Sequence, residues 1–311
     1  METIEKFENL QATIKLNPKN FQARRELLML CLDLGFEDIA KKQIDYLLEI
    51  FPNDANLYFN KGICCEKLKD NKGALEAYKK AVDLKPTDVD FLYNLALLYE
   101  NQGDIDNAMI NLKKVICQKK EDANAFFSIG LLYVKKNDFK NAIKCFKKTI
   151  EYNYSDYFAH FQLACAYKNI KNYSKALLEY RKVLELSEDY SWAYFNTAQI
   201  YWELNRVEDA IVMLKKTIEK NPKDVEAIKL LIQILIKENN IEDAFNIATN
   251  ISEEIKSGDI FYLTAKLYEM KENFEEYQNS LKLALEYKDS LTFNSKIVKK
   301  ELEKTIKHAK K

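Results

Sequence analysis

The sequence has few glycines and prolines and no long apolar run, so long loops, many hairpins and membrane spans are not expected. Glycine occurs 6 times and proline 4 times in 311 residues, which argues against long loops and many hairpins. The most apolar stretch, residues 230–236, is interrupted by Gln233 and is too short to span a bilayer. Lysine plus arginine and aspartate plus glutamate both number 48, so no net charge attracts nucleic acid or an anionic membrane. We therefore expect neither nucleic-acid nor membrane binding.

Signatures of catalysis, metal binding and export are also missing. The 6 cysteines form no C-x-x-C pair, and the 2 histidines, His160 and His308, are far apart, so no metal site, redox site or disulfide framework is predicted. There is no glycine-rich phosphate loop, no H-E-x-x-H and no G-x-S-x-G. His160 is expected to be a packed ring on a helix. The charged N-terminal segment does not resemble a signal peptide. These absences predict a cytoplasmic protein that is not an enzyme and holds no cofactor.

What the sequence does contain is a strict repeat. Pro18, Pro52 and Pro86 are spaced by 34 residues, and Pro222 follows four periods later. An alanine column keeps the same spacing at Ala40, Ala74, Ala108, Ala142, Ala176, Ala210 and Ala244. A fixed period of this length predicts an array of stacked helical units.

Each unit is predicted to be two helices joined by a short turn. The copy that begins at Val89 carries an apolar stripe at Leu92, Leu95 and Tyr99, which is the spacing of one helix face. In its turn, Gly103 can take a positive φ and Asp104 can cap the next helix. The copies are predicted to begin at Phe21, Ala55, Val89, Ala123, Tyr157, Ser191, Val225 and Gly258.

Two further columns identify the repeat. Small residues recur at Gly62, Ala96, Gly130, Ala164 and Ala198, where a large side chain would hold the paired helices apart. Tyrosines recur at Tyr99, Tyr133, Tyr167, Tyr201 and Tyr268. Together these columns resemble the tetratricopeptide repeat. The resemblance implies an all-α fold, an α-solenoid superhelix of stacked antiparallel helix pairs. Leu28 and Ile232 replace the small residue and Tyr277 replaces the alanine, so copies 1, 7 and 8 should pack less regularly.

The repeat divides the chain into three segments. Residues 1–20 are predicted to be the helix of a half-repeat, residues 21–291 eight tetratricopeptide repeats, and residues 292–311 a C-terminal capping helix. The alternative for the last segment is a basic patch that binds an acidic partner, because it carries seven lysines and two glutamates from Lys296 onward.

The resemblance also implies a binding surface, since the first helices of such arrays line a concave groove that commonly holds an extended peptide. One groove column is polar, and its amides could pair with a peptide backbone whatever the peptide's sequence. It runs through Asn60, Asn94, Ser128, Gln162 and Asn196. Asparagine is common at this column in the family, so packing preference is the competing explanation.

The neighbouring groove column is aromatic and includes Phe127, Phe161 and Phe195, for which burial in the core is the alternative. More telling are Phe158 and Trp192, because the family usually places a polar residue at their column. Trp202 is expected to extend the same apolar strip, which is typical of a contact site. The lysines and asparagines of a carboxylate clamp are absent from the corresponding places, where Phe59 and Ile63 stand in one copy.

Three functions remain in consideration. The leading hypothesis is a non-enzymatic adaptor that binds an extended segment of a partner protein in the groove. The second is a structural array that self-associates into a homo-oligomer. The third is a regulatory subunit that docks onto a separate catalytic chain. The sequence does not identify the partner.

Overall fold

The structure is a computed structural model that describes the backbone of residues 2–308 and the side chains of residues 3–252 and 254–305. Within residues 2–308 there are 18 α-helices, one short 3₁₀ helix and no β-strand, which confirms the all-α prediction. None of the helices described is long and apolar enough to cross a membrane. The chain divides into two compact units, one ending at Ala159 and one beginning at His160, so the division falls inside one helix.

The first unit consists of a single helix followed by four helix pairs and the first residues of α10. Its helices are α1 (Glu2–Leu16), α2 (Phe21–Leu34), α3 (Glu37–Ile50), α4 (Ala55–Lys67), α5 (Asn71–Leu84), α6 (Val89–Asn101), α7 (Ile105–Gln118), α8 (Ala123–Lys135) and α9 (Phe139–Tyr152).

The second unit contains the rest of α10, then further helices in pairs and a terminal helix. Its helices are α10 (Tyr157–Asn169), α11 (Tyr173–Leu186), α12 (Ser191–Glu203), α13 (Val207–Lys220), α14 (Val225–Lys237), α15 (Ile241–Glu254), α16 (Gly258–Met270), α17 (Phe274–Glu286) and α18 (Ser295–His308), with the 3₁₀ helix Lys288–Ser290 before α18.

The helix bounds agree with the repeat phase read from the sequence. The first helix of every pair, from α2 to α16, begins at the residue predicted for its copy. Side-chain caps fix many of these starts: Asp88 accepts a hydrogen bond from the backbone of Phe91, and Asp122 from that of Ala125. In the turn between α6 and α7, Gly103 has a φ of 80° and Asp104 caps α7, both as predicted.

The glycines of the small-residue column lie opposite large rings on the second helix of the same pair. A β-carbon placed on Gly62 would lie 2.3 Å from the ring of Tyr78, and one on Gly130 would lie 2.5 Å from the ring of Phe146. The glycines are therefore needed because a large ring on the second helix fills their space. In copy 7, where Ile232 replaces the small residue, the position of Tyr78 is taken by the small Ala248, and both residues are buried in the same core.

All 6 cysteines are free thiols, and they differ in exposure. Cys117 is exposed, whereas burial raises the pKa of Cys31, Cys64 and Cys145 to about 11. No group of His, Cys, Asp and Glu side chains among the described residues could hold a metal ion.

This difference predicts that one thiol per native chain reacts rapidly with Ellman's reagent at pH 8. A raised pKa leaves little thiolate, the reactive form, and burial hinders access. The reaction is followed by absorbance, and the remaining thiols should react only in denaturant. Cys117→Ser should remove the rapid phase; a rapid phase of three or more thiols, or one that survives this substitution, would contradict the exposures.

The segment after α17 is fixed to the start of α16. The carboxylate of Asp259, almost fully buried, accepts hydrogen bonds from the backbone N–H of Thr292 at 2.6 Å and its hydroxyl at 2.7 Å. Lys229 of α14 completes the site with its Nζ 3.1 Å from the same carboxylate. Beyond this point, the fully buried Val298 of α18 packs into the core formed by α16 and α17. One aspartate thus joins α14, α16 and the segment that leads to α18.

Candidate protein-binding surfaces

The predicted amide column is only partly available in the first unit. Asn60 on α4 is half-buried and forms no hydrogen bond with any described residue. Asn94 on α6 donates one amide hydrogen to the carbonyl of Asp90, 2.8 Å away on its own helix. Ser128 is buried, and its hydroxyl is hydrogen-bonded to the hydroxyl of Tyr93 at 2.9 Å. The column is therefore not a continuous ladder, because Ser128 is already satisfied.

The aromatic column of the first unit contributes mainly to packing. Phe59 stacks on Phe91 of the next repeat with ring centroids 4.7 Å apart, and Phe127 lies 5.7 Å from Phe146. Phe158 differs, since 47% of its surface is exposed and its ring stacks on Tyr157 at 4.3 Å. Of the two aromatic residues predicted as contacts in this unit, Phe158 is the exposed one and Phe127 is half-buried.

Among the predicted contact residues of the second unit, Trp192 on α12 is the exposed ring. Its surface is 53% exposed, and its indole meets the ring of Phe195 edge to face at 6.3 Å. Phe195 itself is only 9% exposed, so it supports Trp192 from beneath rather than lining an open surface. Phe161 is half-buried between Tyr180 at 5.8 Å and Tyr190 at 5.1 Å. Packed rings therefore hold one accessible tryptophan in place.

A polar network adjoins this tryptophan. The amide of Asn196 donates to the backbone carbonyl of Trp192 at 2.8 Å and accepts from Nζ of Lys168 at 2.9 Å. Lys168 also donates to the side-chain oxygen of Gln199. Gln162 is half-buried and makes no hydrogen bond with a described residue. Burial lowers the pKa of Lys168.

A cavity of about 630 Å³ opens beside this network. It is lined by Cys165, Lys168, Asn169, Lys171, Tyr173, Asn196 and Glu203. The hydroxyl of Tyr173 donates to the carboxylate of Glu203. Of these residues the sequence singled out only Asn196 as a contact. Lys168 stands at the same repeat position as Trp202, which faces the groove by resemblance, but it was not named as a contact itself.

Trp202 and its neighbours are less accessible than the sequence suggested. Trp202 is half-buried against the core of its unit, and Nζ of Lys237 lies 4.3 Å above its ring. Leu230 and Ile236 pack against the same core. The predicted apolar strip is thus largely packed at this end of α12 and in α14, and Trp192 remains its exposed member.

His160 is a packed ring, as predicted. It is 3% exposed, and its Nδ1 lies 2.8 Å from a carboxylate oxygen of Glu179 on α11. This contact fixes the first helix of the pair against the second. We assign the histidine no role in binding or chemistry.

Comparison with family models and solved structures agrees with this architecture. A family model described as TPR repeat matches residues 67–103, and models described as tetratricopeptide repeat match residues 123–156 and 171–224. No curated protein matches the chain.

Several solved structures are similar to the chain. The C-terminal part of a TPR repeat-containing protein from Cytophaga hutchinsonii is 18% identical, with a TM-score of 0.65 over 73% of this chain and 93% of that one. A tetratricopeptide repeat protein from Parabacteroides merdae is 17% identical, with a TM-score of 0.57 over 92% and 98% of the two chains. YrrB, described as a TPR protein with an unusual peptide-binding site, is 24% identical, with a TM-score of 0.53 over 60% and 95%. The family models thus show tetratricopeptide repeats within residues 67–224, and the similar structures share the fold of stacked helix pairs.

Proposed function

We propose that this protein is an adaptor that binds an extended segment of a partner protein along its first helices. Tetratricopeptide repeats serve protein–protein interaction, and the family is generally non-enzymatic. The observation that carries the proposal is Trp192, a large ring left 53% exposed on a support of packed aromatic residues. YrrB, a similar protein, is described as having a peptide-binding site, which is consistent with this use of the fold.

The residues would act in different ways. Trp192 in the second unit, and Phe158 in the first, would each contact an apolar side chain of the partner, since exposed aromatic rings on a rigid support are typical binding anchors. Asn60 and Gln162, which have unused donors and acceptors, would bond the partner's backbone. Asn94 and Asn196 would offer the amide hydrogen their own helices leave free. Phe127, Phe161, Phe195 and Trp202 would mainly position these groups.

Preorganisation favours such binding. The side chains lie on helices whose positions are already fixed by the repeat packing, so little conformational entropy is lost by the receptor when the partner binds. The partner's segment bears most of the ordering cost. This division suits a protein that recognises a flexible segment of another chain.

The two ends of the chain fit the same proposal. Phe7, Leu10 and Ile14 of α1 pack on the core of the first repeat, and Val298 and Leu302 of α18 pack on that of the last. We propose that residues 1–20 and 292–311 cap residues 21–291, since exposed repeat ends need a polar cover. The interaction surfaces would then be the first helices between the caps.

Trp192→Ala tests the proposed function. We expect recovery of specific partners from a lysate of the source cells to fall by about tenfold or more, because loss of a central aromatic anchor commonly has an effect of that size. Affinity capture with quantitative mass spectrometry measures it. The matched control is Leu178→Ala, which removes an equally exposed apolar side chain, 53%, from a second helix. Equal recovery by the wild type and Trp192→Ala, with the fold intact by circular dichroism, would refute the proposal.

A further inference from the structure

Lys168 is a partly buried cation whose hydrogen-bond partners are uncharged. Its ammonium group bonds the side-chain oxygens of Asn196 and Gln199. No carboxylate of the described residues lies within 4.0 Å of it, the distance of an ion pair. Amide oxygens accept hydrogen bonds but do not neutralise a charge, and Glu203 acts on Lys168 only from beyond ion-pair distance, so this lysine has no contacting counter-ion.

The other partly buried lysines of the second unit are treated differently. Lys229 contacts Glu226 at 2.8 Å and Asp259 at 3.1 Å. Lys266 lies 3.0 Å from Glu269 and 3.0 Å from Glu301. These carboxylates raise the pKa of Lys229 and Lys266 against the opposing effect of burial. Lys168, without such a partner, has a lowered pKa. Lys229 and Lys266 thus have contacting carboxylates, whereas Lys168 has only the more distant attraction of Glu203, which does not outweigh the effect of burial on its pKa.

The cavity beside Lys168 gives a counter-ion room to enter. Its volume of about 630 Å³ exceeds that of a carboxylate-bearing side chain, and Lys171 also lines it. The acidic residue of the lining, Glu203, already accepts a hydrogen bond from Tyr173. Two cationic groups against one carboxylate favour a ligand with a single negative charge, whereas Glu203 would repel a phosphate dianion.

The site also adjoins the proposed binding surface. Asn196 bonds Lys168 with its oxygen and the backbone of Trp192 with its nitrogen, and the two α12 residues lie one helical turn apart. A segment that places an apolar side chain on Trp192 would therefore pass the mouth of the cavity.

We propose that this pocket binds the carboxylate of an aspartate or glutamate side chain of the partner, next to the apolar residue that contacts Trp192. Lys168 makes the main contact with that carboxylate, and Lys171 increases the positive electrostatic potential around it. The inference rests on the proposed function and specifies the chemistry of its partner.

Lys168→Met separates binding from stability. Methionine keeps most of the length of the side chain and removes a charge that has no contacting counter-ion, so the melting temperature should stay the same or rise. Affinity for acid-containing segments should nevertheless fall by about tenfold. A lysine held only for structure would give the opposite result for stability. The control is Lys215→Met on α13, an exposed lysine of the same unit, which should change neither quantity.

The probe is a phage-displayed library of random linear 12-residue peptides, selected on the full-length protein. Selected peptides are synthesised with blocked ends, and their affinities for the wild type, Trp192→Ala, Lys168→Met and Lys215→Met are measured by fluorescence anisotropy. We expect an Asp or Glu at a fixed spacing from an apolar residue. Replacing that acid with its amide should weaken binding to the wild type about tenfold and change binding to Lys168→Met little.

The outcomes distinguish the two proposals. Peptides that depend on Trp192 but contain no fixed acid, or bind Lys168→Met as well as the wild type, would overturn the carboxylate site and leave the adaptor proposal standing. Tighter binding of a phosphoserine in place of the acid, or of a free C-terminus, would overturn the assignment of an internal carboxylate. Failure to select any peptide that depends on Trp192 would overturn both.

Discussion

Replacing Asp259 with alanine is expected to lower the free energy of unfolding of the second unit by about 3–5 kcal/mol. The side chain of Asp259 is 2% exposed and that of its partner Lys229 is 14% exposed, so the substitution leaves a buried ammonium group with half of its ion pairs. It also removes the acceptor for the backbone and hydroxyl of Thr292, which then lose 2 hydrogen bonds at once. We expect the segment that leads to α18 to detach before the unit as a whole unfolds.

Urea denaturation followed by circular dichroism measures the loss, and hydrogen exchange in residues 287–305 reports the detachment. The control is Asp189→Ala, which removes an Asp–Lys pair of similar length, 2.8 Å to Lys220, but with the aspartate side chain 86% exposed. An exposed pair of this kind is worth about 0–1 kcal/mol. If the two substitutions lower the free energy of unfolding equally, burial does not explain the contribution of Asp259 to stability.

The second large effect is expected for Gly130→Val in the first unit, at about 3 kcal/mol of destabilisation. A β-carbon at this position would lie 2.5 Å from the ring of Phe146, which is fully buried and cannot move aside without disturbing its own neighbours. The helix propensity of valine, better than that of glycine, offsets only a few tenths of a kcal/mol. Steric overlap therefore decides the sign.

Asn124→Val introduces the same side chain at an exposed position of α8 and serves as the control, with an expected change within about 0.5 kcal/mol. Adding Phe146→Leu to Gly130→Val should recover part of the loss, because the smaller side chain frees space at the point of overlap. The free energies of unfolding of the wild type, Gly130→Val, Phe146→Leu and the double variant, measured by denaturant titration, form the double-mutant cycle. Strict additivity would show that the two positions do not compete for the same volume.

The fold was predictable because its signals recur. A single alanine proves nothing, but the spacing of Ala40, Ala74 and Ala108 fixes the phase of the repeat, and the helices begin where that phase requires. Caps such as Asp104 follow from local chemistry, since an aspartate before an apolar stripe satisfies the free N–H groups of a helix start.

The binding surface was harder to predict for a physical reason. An aromatic residue on a first helix can face solvent or pack on the next repeat. Positions with these two environments can lie three residues apart on the same side of the helix, so the apolar pattern alone does not separate them. Trp192 and Phe195 lie three residues apart on α12, yet one is exposed and the other buried. The family's usual polar residue at the first position separated the two cases for Trp192 and Phe158. It gave no help for Trp202, whose exposure depends on Lys237 of the following repeat.

The contacts of Lys168 and of Asp259 carried no signal in the sequence. Each depends on side chains about one repeat apart meeting in space: 28 residues separate Lys168 from Asn196, and 33 separate Asp259 from Thr292. The column of Lys168 carries an acid in one repeat and a tryptophan in another, so its groove-facing position was predictable but the role of its lysine was not. A contact that occurs in one repeat only cannot be predicted from the pattern that the repeats share.

The short reach of these contacts has a consequence during synthesis on the ribosome. Side-chain bonds between neighbouring repeats join residues such as Lys135 and Glu100, 35 positions apart, so a pair of helices finds its partners as soon as the following pair has emerged. The pair formed by α16 and α17 instead contacts α18: its Tyr262 bonds Glu301, 39 positions downstream. This pair should therefore be completed only once α18 has been synthesised, and its apolar side should stay open to chaperones for that longer interval.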